Sequence, residues 1–153
     1  MFHISRRTGP TIASSITLAV LALLAAPASL AMAAGIATLT ALTPELHRRI
    51  ERRTVALVEG LQKIADELAV PFTADCAGSM WGFFFSSTPV RNFTMAKASD
   101  VGFFKRFFHA ALERGVYLAP SPFEACFMSA AHSDEDVADA LERMRDAMRV
   151  AIA

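Results

Sequence analysis

The stretch 72–86, FTADCAGSMWGFFFS, changes period relative to everything around it. Upstream, Leu46, Ile50, Leu57, Leu61, Ile64 and Leu68 recur at helical spacing, with Arg48, Arg49, Glu51, Arg52 and Arg53 largely off that stripe. That pattern predicts an amphipathic helix. Thr43-Pro44-Glu45 starts it with a hydroxyl, a proline and an early carboxylate in the order a helix N-terminus prefers, and it ends near Val70-Pro71. Inside the quoted stretch, two short aromatic-rich runs, 72–76 and 80–86, are separated by Ala77-Gly78. They read as two strands, or one strand with a bulge, buried on both faces. Ser87-Thr88-Pro89 closes the segment as a turn.

Downstream the helical period returns. Ser99-Asp100 caps a helix whose apolar stripe is Phe103, Phe104, Phe107, Phe108, Ala111 and Leu112, and Gly115 stands where a left-handed terminal residue belongs. Segments 116–119 and 125–129 read as two further strands, joined by the turn-forming Pro120-Ser121-Pro122. Ser133 with Asp136 makes a capping-box-like start to a last helix, reinforced by Asp134 and Glu135, whose buried face is Val137, Leu141, Met144, Met148 and Ile152. The order helix, strands, helix, strands, helix predicts an α+β domain, with helices covering one face of a small, mainly antiparallel sheet.

The chain's 153 residues suit one core, and 15 basic residues balance 15 acidic ones. No net field favours nucleic acid. Nothing is ionisable between Arg7 and Glu45. This apolar stretch reads in three ways: as a helix of the domain, as a membrane segment over roughly residues 12–34, or as a secretory signal with Ala31-Met32-Ala33 as its cleavage site. Cys76 and Cys126 are too few for a disulfide framework and lack zinc spacing, so they read as two buried thiols. Asn92-Phe93-Thr94 matches a glycosylation pattern.

Chemistry-bearing groups are sparse. His3, His47, His109 and His132 show no metal-ligand spacing, and no nucleophile elbow, phosphate loop or zinc-protease motif occurs. Of Lys63, Lys97 and Lys105, none looks desolvated enough for a Schiff base. Glu124 is the one carboxylate in an otherwise uncharged, aromatic-rich turn, 118–127.

Gly78-Ser79-Met80, Phe84-Phe85, Pro89-Val90-Arg91-Asn92-Phe93 and Phe107-Phe108-His109 are followed by Gly115-Val116-Tyr117-Leu118-Ala119-Pro120-Ser121, Phe123-Glu124-Ala125 and Ala131-His132-Ser133. In that order they resemble the C-terminal part of the glutamate-1-semialdehyde 2,1-aminomutase family, a branch of the class III pyridoxal-phosphate aminotransferases. Leu30-Ala31-Met32-Ala33-Ala34-Gly35 resembles the helix leading into that part, so the resemblance covers residues 30–153 and leaves 1–29 without a counterpart.

The resemblance implies the small C-terminal domain of a fold-type-I enzyme with pyridoxal 5'-phosphate as cofactor, a cytoplasmic homodimer with active sites between subunits. It implies conversion of glutamate-1-semialdehyde to 5-aminolevulinate for tetrapyrrole synthesis, with Glu124 lining the substrate pocket. The family's large domain, which carries the Schiff-base lysine and most phosphate contacts, precedes this region. The 153-residue chain is therefore expected to hold no catalytic, cofactor-binding or metal residue of its own and to be inactive alone. Cys126 stands where the family has glycine. The alternative expectation is a membrane-anchored or secreted small binding protein that uses the apolar N-terminal segment.

Overall fold

The computed structural model describes residues 29–153, which fall into two compact units meeting at Thr43–Pro44. Helix α1, described over Ser29–Ala41, leaves Leu30, Met32, Ile36 and Leu39 exposed, while Thr38 and Thr40 return their hydroxyls to carbonyls one turn back. Most of the extension 1–29, and of the segment 12–34 read as a membrane or signal sequence, lies outside the described residues. Among the described residues no single helix is long and apolar enough to cross a membrane.

The second unit runs α2 (Pro44–Glu67), β1 (Thr73–Ala77), β2 (Met80–Phe84), α3 (Phe93–Lys97), α4 (Val101–Glu113), β3 (Cys126–Phe127) and α5 (Asp134–Ile152). On α2, Ile50, Leu57, Leu61 and Ile64 of the predicted stripe are buried together with Thr54 and Ala65, while Leu46 and Leu68 at its ends are half-buried. The helix unwinds at Ala69, which takes a left-handed φ of 54°, and the Val70 amide donates back to the Ala65 carbonyl at 2.9 Å.

The period change at 72–86 is a hairpin. β1 and β2 pair antiparallel from Thr73 opposite Phe84 to Ala77 opposite Met80, with Gly78 at φ 60° in the two-residue turn. A left-handed turn residue matches the twist of the flanking strands, and glycine adopts it without steric cost. β3 adds to the other side of β2, giving the order β1-β2-β3.

The expectation that both faces of this segment are buried is wrong. Trp81, Phe83 and Phe85 are buried on one side, whereas Met80 is exposed and Phe84 half-buried on the other. The physical reason is the number of layers: α2, α4 and α5 pack together on the Trp81-Phe83-Phe85 face, and no other described element of this unit forms a second layer. Phe83 meets the rings of Phe104 and Phe107 at 5.9 and 5.8 Å.

Three further expectations need correction. Segment 116–119 forms no strand; Leu118 is buried, but β2 has one free edge and β3 occupies it. The strand expected over 125–129 is only Cys126–Phe127, because tight turns stand close on both sides of it. On α5, Ile152 is exposed and Leu141 only half-buried; Ala147 and Ala151 take the buried positions beside Val137, Met144 and Met148. The alanines permit close approach, as does Gly60 on α2, where an added Cβ would lie 2.5 Å from a Leu141 methyl.

The helix caps follow the sequence. Asp100 accepts the Phe103 amide at 2.8 Å. At the other end of α4, the Gly115 and Val116 amides donate to Leu112 and Ala111, a Schellman arrangement around Gly115 at φ 79°. Both halves of the Ser133–Asp136 capping box are present.

Phe107, 1% exposed, has ring contacts with Phe83 and Phe85. Phe107→Ala removes that volume from a core closed on all sides, and a loss of about 3–5 kcal/mol is expected. Urea unfolding of both proteins checks it through a lower midpoint at unchanged slope.

Candidate functional site

Glu124 sits on a turn that the chain builds locally. The Ser121 hydroxyl accepts the Phe123 amide and the Ser121 carbonyl accepts the Glu124 amide, each at 3.2 Å. Prolines at 120 and 122 remove two donors and fix two φ angles, which favours such a turn. The turn rests on α3, where Phe123 meets Phe93 edge-on at 5.9 Å and the Lys97 ammonium lies 5.5 Å above the Phe93 ring.

The sequence did not foretell α3. Asn92, noted in a glycosylation pattern and in a resemblance motif but not as a cap, is its cap and accepts the Met95 amide at 3.0 Å. Asparagine before an otherwise unassigned run was the signal available.

Between the turn and the open sheet face lies a groove of about 350 Å³, lined by Asp75, Met80, Phe84, Val90, Phe123 and Glu124 among others. Among the described residues its only carboxylates are Asp75 and Glu124, and no lysine or arginine lines it. The Asp75 carboxylate accepts the Cys76 amide at 2.8 Å. Glu124 is exposed, with no described side chain paired to its carboxylate.

A second hollow, about 280 Å³, lies near the start of α5, with Trp81, Leu118, Cys126, His132, Asp136 and Met144 on its walls. The His132 Nδ1 lies 3.1 Å from both the amide and the hydroxyl of Ser129, and the His132 carbonyl accepts from Arg53 at 2.6 Å. The other described histidines, His47 and His109, are exposed on helices. No group of three His, Cys, Asp or Glu that could hold a metal occurs among the described residues.

Cys76 and Cys126 are free and half-buried rather than fully buried. Burial pushes both thiols up; for Cys126 the nearby Glu124 adds to this and a bond to the Ala119 backbone opposes it. Both stand opposite Trp81, on the two strands flanking β2. Two strand spacings, roughly 10 Å, separate them, which is too far for a disulfide. The described lysines 63, 97 and 105 are all exposed.

No family model matches the chain. It is 57% identical over 123 residues to the glutamate-1-semialdehyde 2,1-aminomutase of Gemmatimonas aurantiaca, and 49% identical over 121 residues to that of Desulfitobacterium hafniense. These alignments cover 80% and 78% of the chain but 28% of either relative. The chain corresponds to the C-terminal segment of the glutamate-1-semialdehyde 2,1-aminomutase family. It thus spans little more than a quarter of the curated relatives it matches.

Solved structures agree on the fold. An omega-transaminase from Sphaerobacter thermophilus superposes with a TM-score of 0.67 at 20% identity, covering 80% of the chain and 28% of that structure. A glutamate-1-semialdehyde aminomutase from Pseudomonas aeruginosa gives 0.64 at 22% identity, covering 72% and 24%. Another transaminase, described with pyridoxal phosphate bound, gives 0.64 at 21% identity, covering 79% and 27%.

The groove beside Glu124 does not by itself fit that cofactor. A phosphate dianion needs cations or converging amides, and a Schiff base needs a desolvated lysine. The groove beside Glu124 offers two carboxylates and the lysines stand in water.

The wall carrying His132 is tied to α2 by charge. Arg53 donates to Asp134 at 2.6 Å, and this bond is the main cause holding the Asp134 carboxyl below its usual value. Hydrogen bonds from Ser133 do the same for Asp136. A carboxyl depressed in the folded state stabilises the fold above the unfolded value, near about 4, and that contribution fades as pH falls through the folded value. Asp134→Asn should therefore lower the melting temperature at pH 7 and shrink the difference in melting temperature between pH 7 and pH 3, read by thermal scans at both pH values.

Proposed function

We propose that this segment forms one wall of the substrate pocket of a pyridoxal-phosphate-dependent aminomutase that converts glutamate-1-semialdehyde to 5-aminolevulinate for tetrapyrrole synthesis. The observation that carries this reading is the placement of Glu124. In a chain 57% identical to a named aminomutase, its carboxylate is exposed on a braced turn over an apolar groove.

An unpaired carboxylate there accepts hydrogen bonds from a polar or cationic group of a small molecule. Once the remainder of such an enzyme covers the exposed Phe123 and Met80 and the half-buried Phe84, water leaves the groove and such a bond strengthens. Phe93 and Ser121 hold the turn in place, so Glu124 does not have to be ordered when the substrate arrives.

The rest of the pocket belongs to sequence that the relatives carry beyond the 28% matched here. The 153-residue chain alone binds no pyridoxal phosphate and performs no isomerisation. The exposed Met80, Phe123 and Phe127 around the open face are the surface that the remainder of such an enzyme covers. The homodimer and the cytoplasmic setting are part of the same proposal.

A chimera tests it: residues 30–153 replace their counterpart in the Gemmatimonas aurantiaca enzyme, and formation of 5-aminolevulinate is followed. The chimera should turn over. Glu124→Gln within it should cost roughly tenfold to a hundredfold in kcat/KM, the size of a lost hydrogen bond to a charged group. A folded chimera without turnover, or one indifferent to Glu124→Gln, contradicts the reading.

A further inference from the structure

β1 pairs on one side only: β2 and then β3 lie beyond it, and its outer edge has no strand partner among the described residues. In a hairpin closed by the two residues Gly78-Ser79, the pair Ala77–Met80 bonds inward, as do Asp75–Gly82 and Thr73–Phe84. The backbone groups of Ala74 and Cys76 therefore point out along the free edge. Such an edge is a ready template for another strand.

This edge is self-complementary. An antiparallel second copy of β1, centred on Asp75, would place Ala74 opposite that copy's Cys76, and Cys76 opposite its Ala74, each pair exchanging two hydrogen bonds. Thr73 would face the second copy's Ala77. The result is a continuous six-stranded sheet with two-fold symmetry, in which each copy presents the same residues.

Asp75 opposes that pairing in two ways. Its carboxylate already accepts the Cys76 amide at 2.8 Å, so the donor that the second copy would need is occupied once in each chain. In the centred register the two Asp75 side chains also meet as a non-hydrogen-bonded pair, where side chains stand closest and like charges repel. Across β1, Asp75 faces Gly82, which has no side chain to screen it.

We propose that the outer edge of β1 is a pairing surface for a second copy of this chain, and that Asp75 keeps it shut. The carboxylate acts as a guard against edge-to-edge association, independently of what Glu124 does.

Cross-linking in a fixed register tests this. Thr73→Cys and Ala77→Cys are introduced together, since these positions face each other across the proposed interface but lie far apart within one chain. They are made in three backgrounds: Asp75 retained, Asp75→Ala and Asp75→Ser. After mild oxidation at equal protein concentration, disulfide-linked dimers are quantified and mapped by peptide mass, with circular dichroism confirming the fold of each. Both neutral backgrounds should give at least about tenfold more dimer linked between positions 73 and 77. Equal yields in all three backgrounds, or links confined to Cys76 and Cys126, overturn the proposal.

Discussion

The packing of Phe83 governs this domain. Its ring meets those of Phe72, Trp81, Phe85, Phe104 and Phe107 at centroid distances between 5.6 and 5.9 Å, so the hairpin, the chain leading into it and α4 converge on one side chain. Each aromatic pair adds about 0.5–1.5 kcal/mol to the area it buries. Phe83 points to one face of the sheet, so the helices must gather there. The opposite face is left with Met80, Phe84 and Phe127 and the groove below Glu124. The site is thus a consequence of the core: what is open for binding is what the aromatic cluster did not use.

Much of this was legible in the sequence because local chemistry and tertiary need agree. The stripe on α2, the Asp100 and Ser133 caps and Gly115 each specify a helix boundary without reference to the rest of the fold. The hairpin was visible as a change of period, with Gly78 marking its turn. What could not be read was which aromatic residues face inward, since Trp81, Phe83 and Phe85 look no more apolar than Phe84. That depends on the number of layers, which no local pattern encodes. The strand expected over 116–119 failed for a similar reason: Val116, Tyr117 and Leu118 have strand-like chemistry, but a sheet edge must be available, and residues 126–127 take it.

The site was less legible than the fold. Glu124 stood out as a lone carboxylate, and the resemblance assigned it a role, but the groove beneath it is built largely from residues of the distant segment 73–90. Its brace, α3, was hidden inside a pattern read for glycosylation. The electrostatics are one-sided: the groove gathers Asp75 and Glu124 with no cation, while the basic residues of α2 and α5 serve ion pairs such as Arg53–Asp134 and Arg145–Glu67. Under the proposed function, a pocket wall with this charge would orient a substrate and leave phosphate and aldehyde chemistry to groups elsewhere.

The central claim is that this segment lends a carboxylate wall to an aminomutase pocket without holding the cofactor itself. The most direct measurement is a titration of the purified 153-residue chain with pyridoxal phosphate, followed by absorbance, borohydride reduction and peptide mapping. The account predicts no saturable aldimine absorbance and no single modified lysine, only weak and scattered labelling. A stoichiometric pyridoxyl adduct confined to Lys63, Lys97 or Lys105, formed at low cofactor concentration, would contradict it.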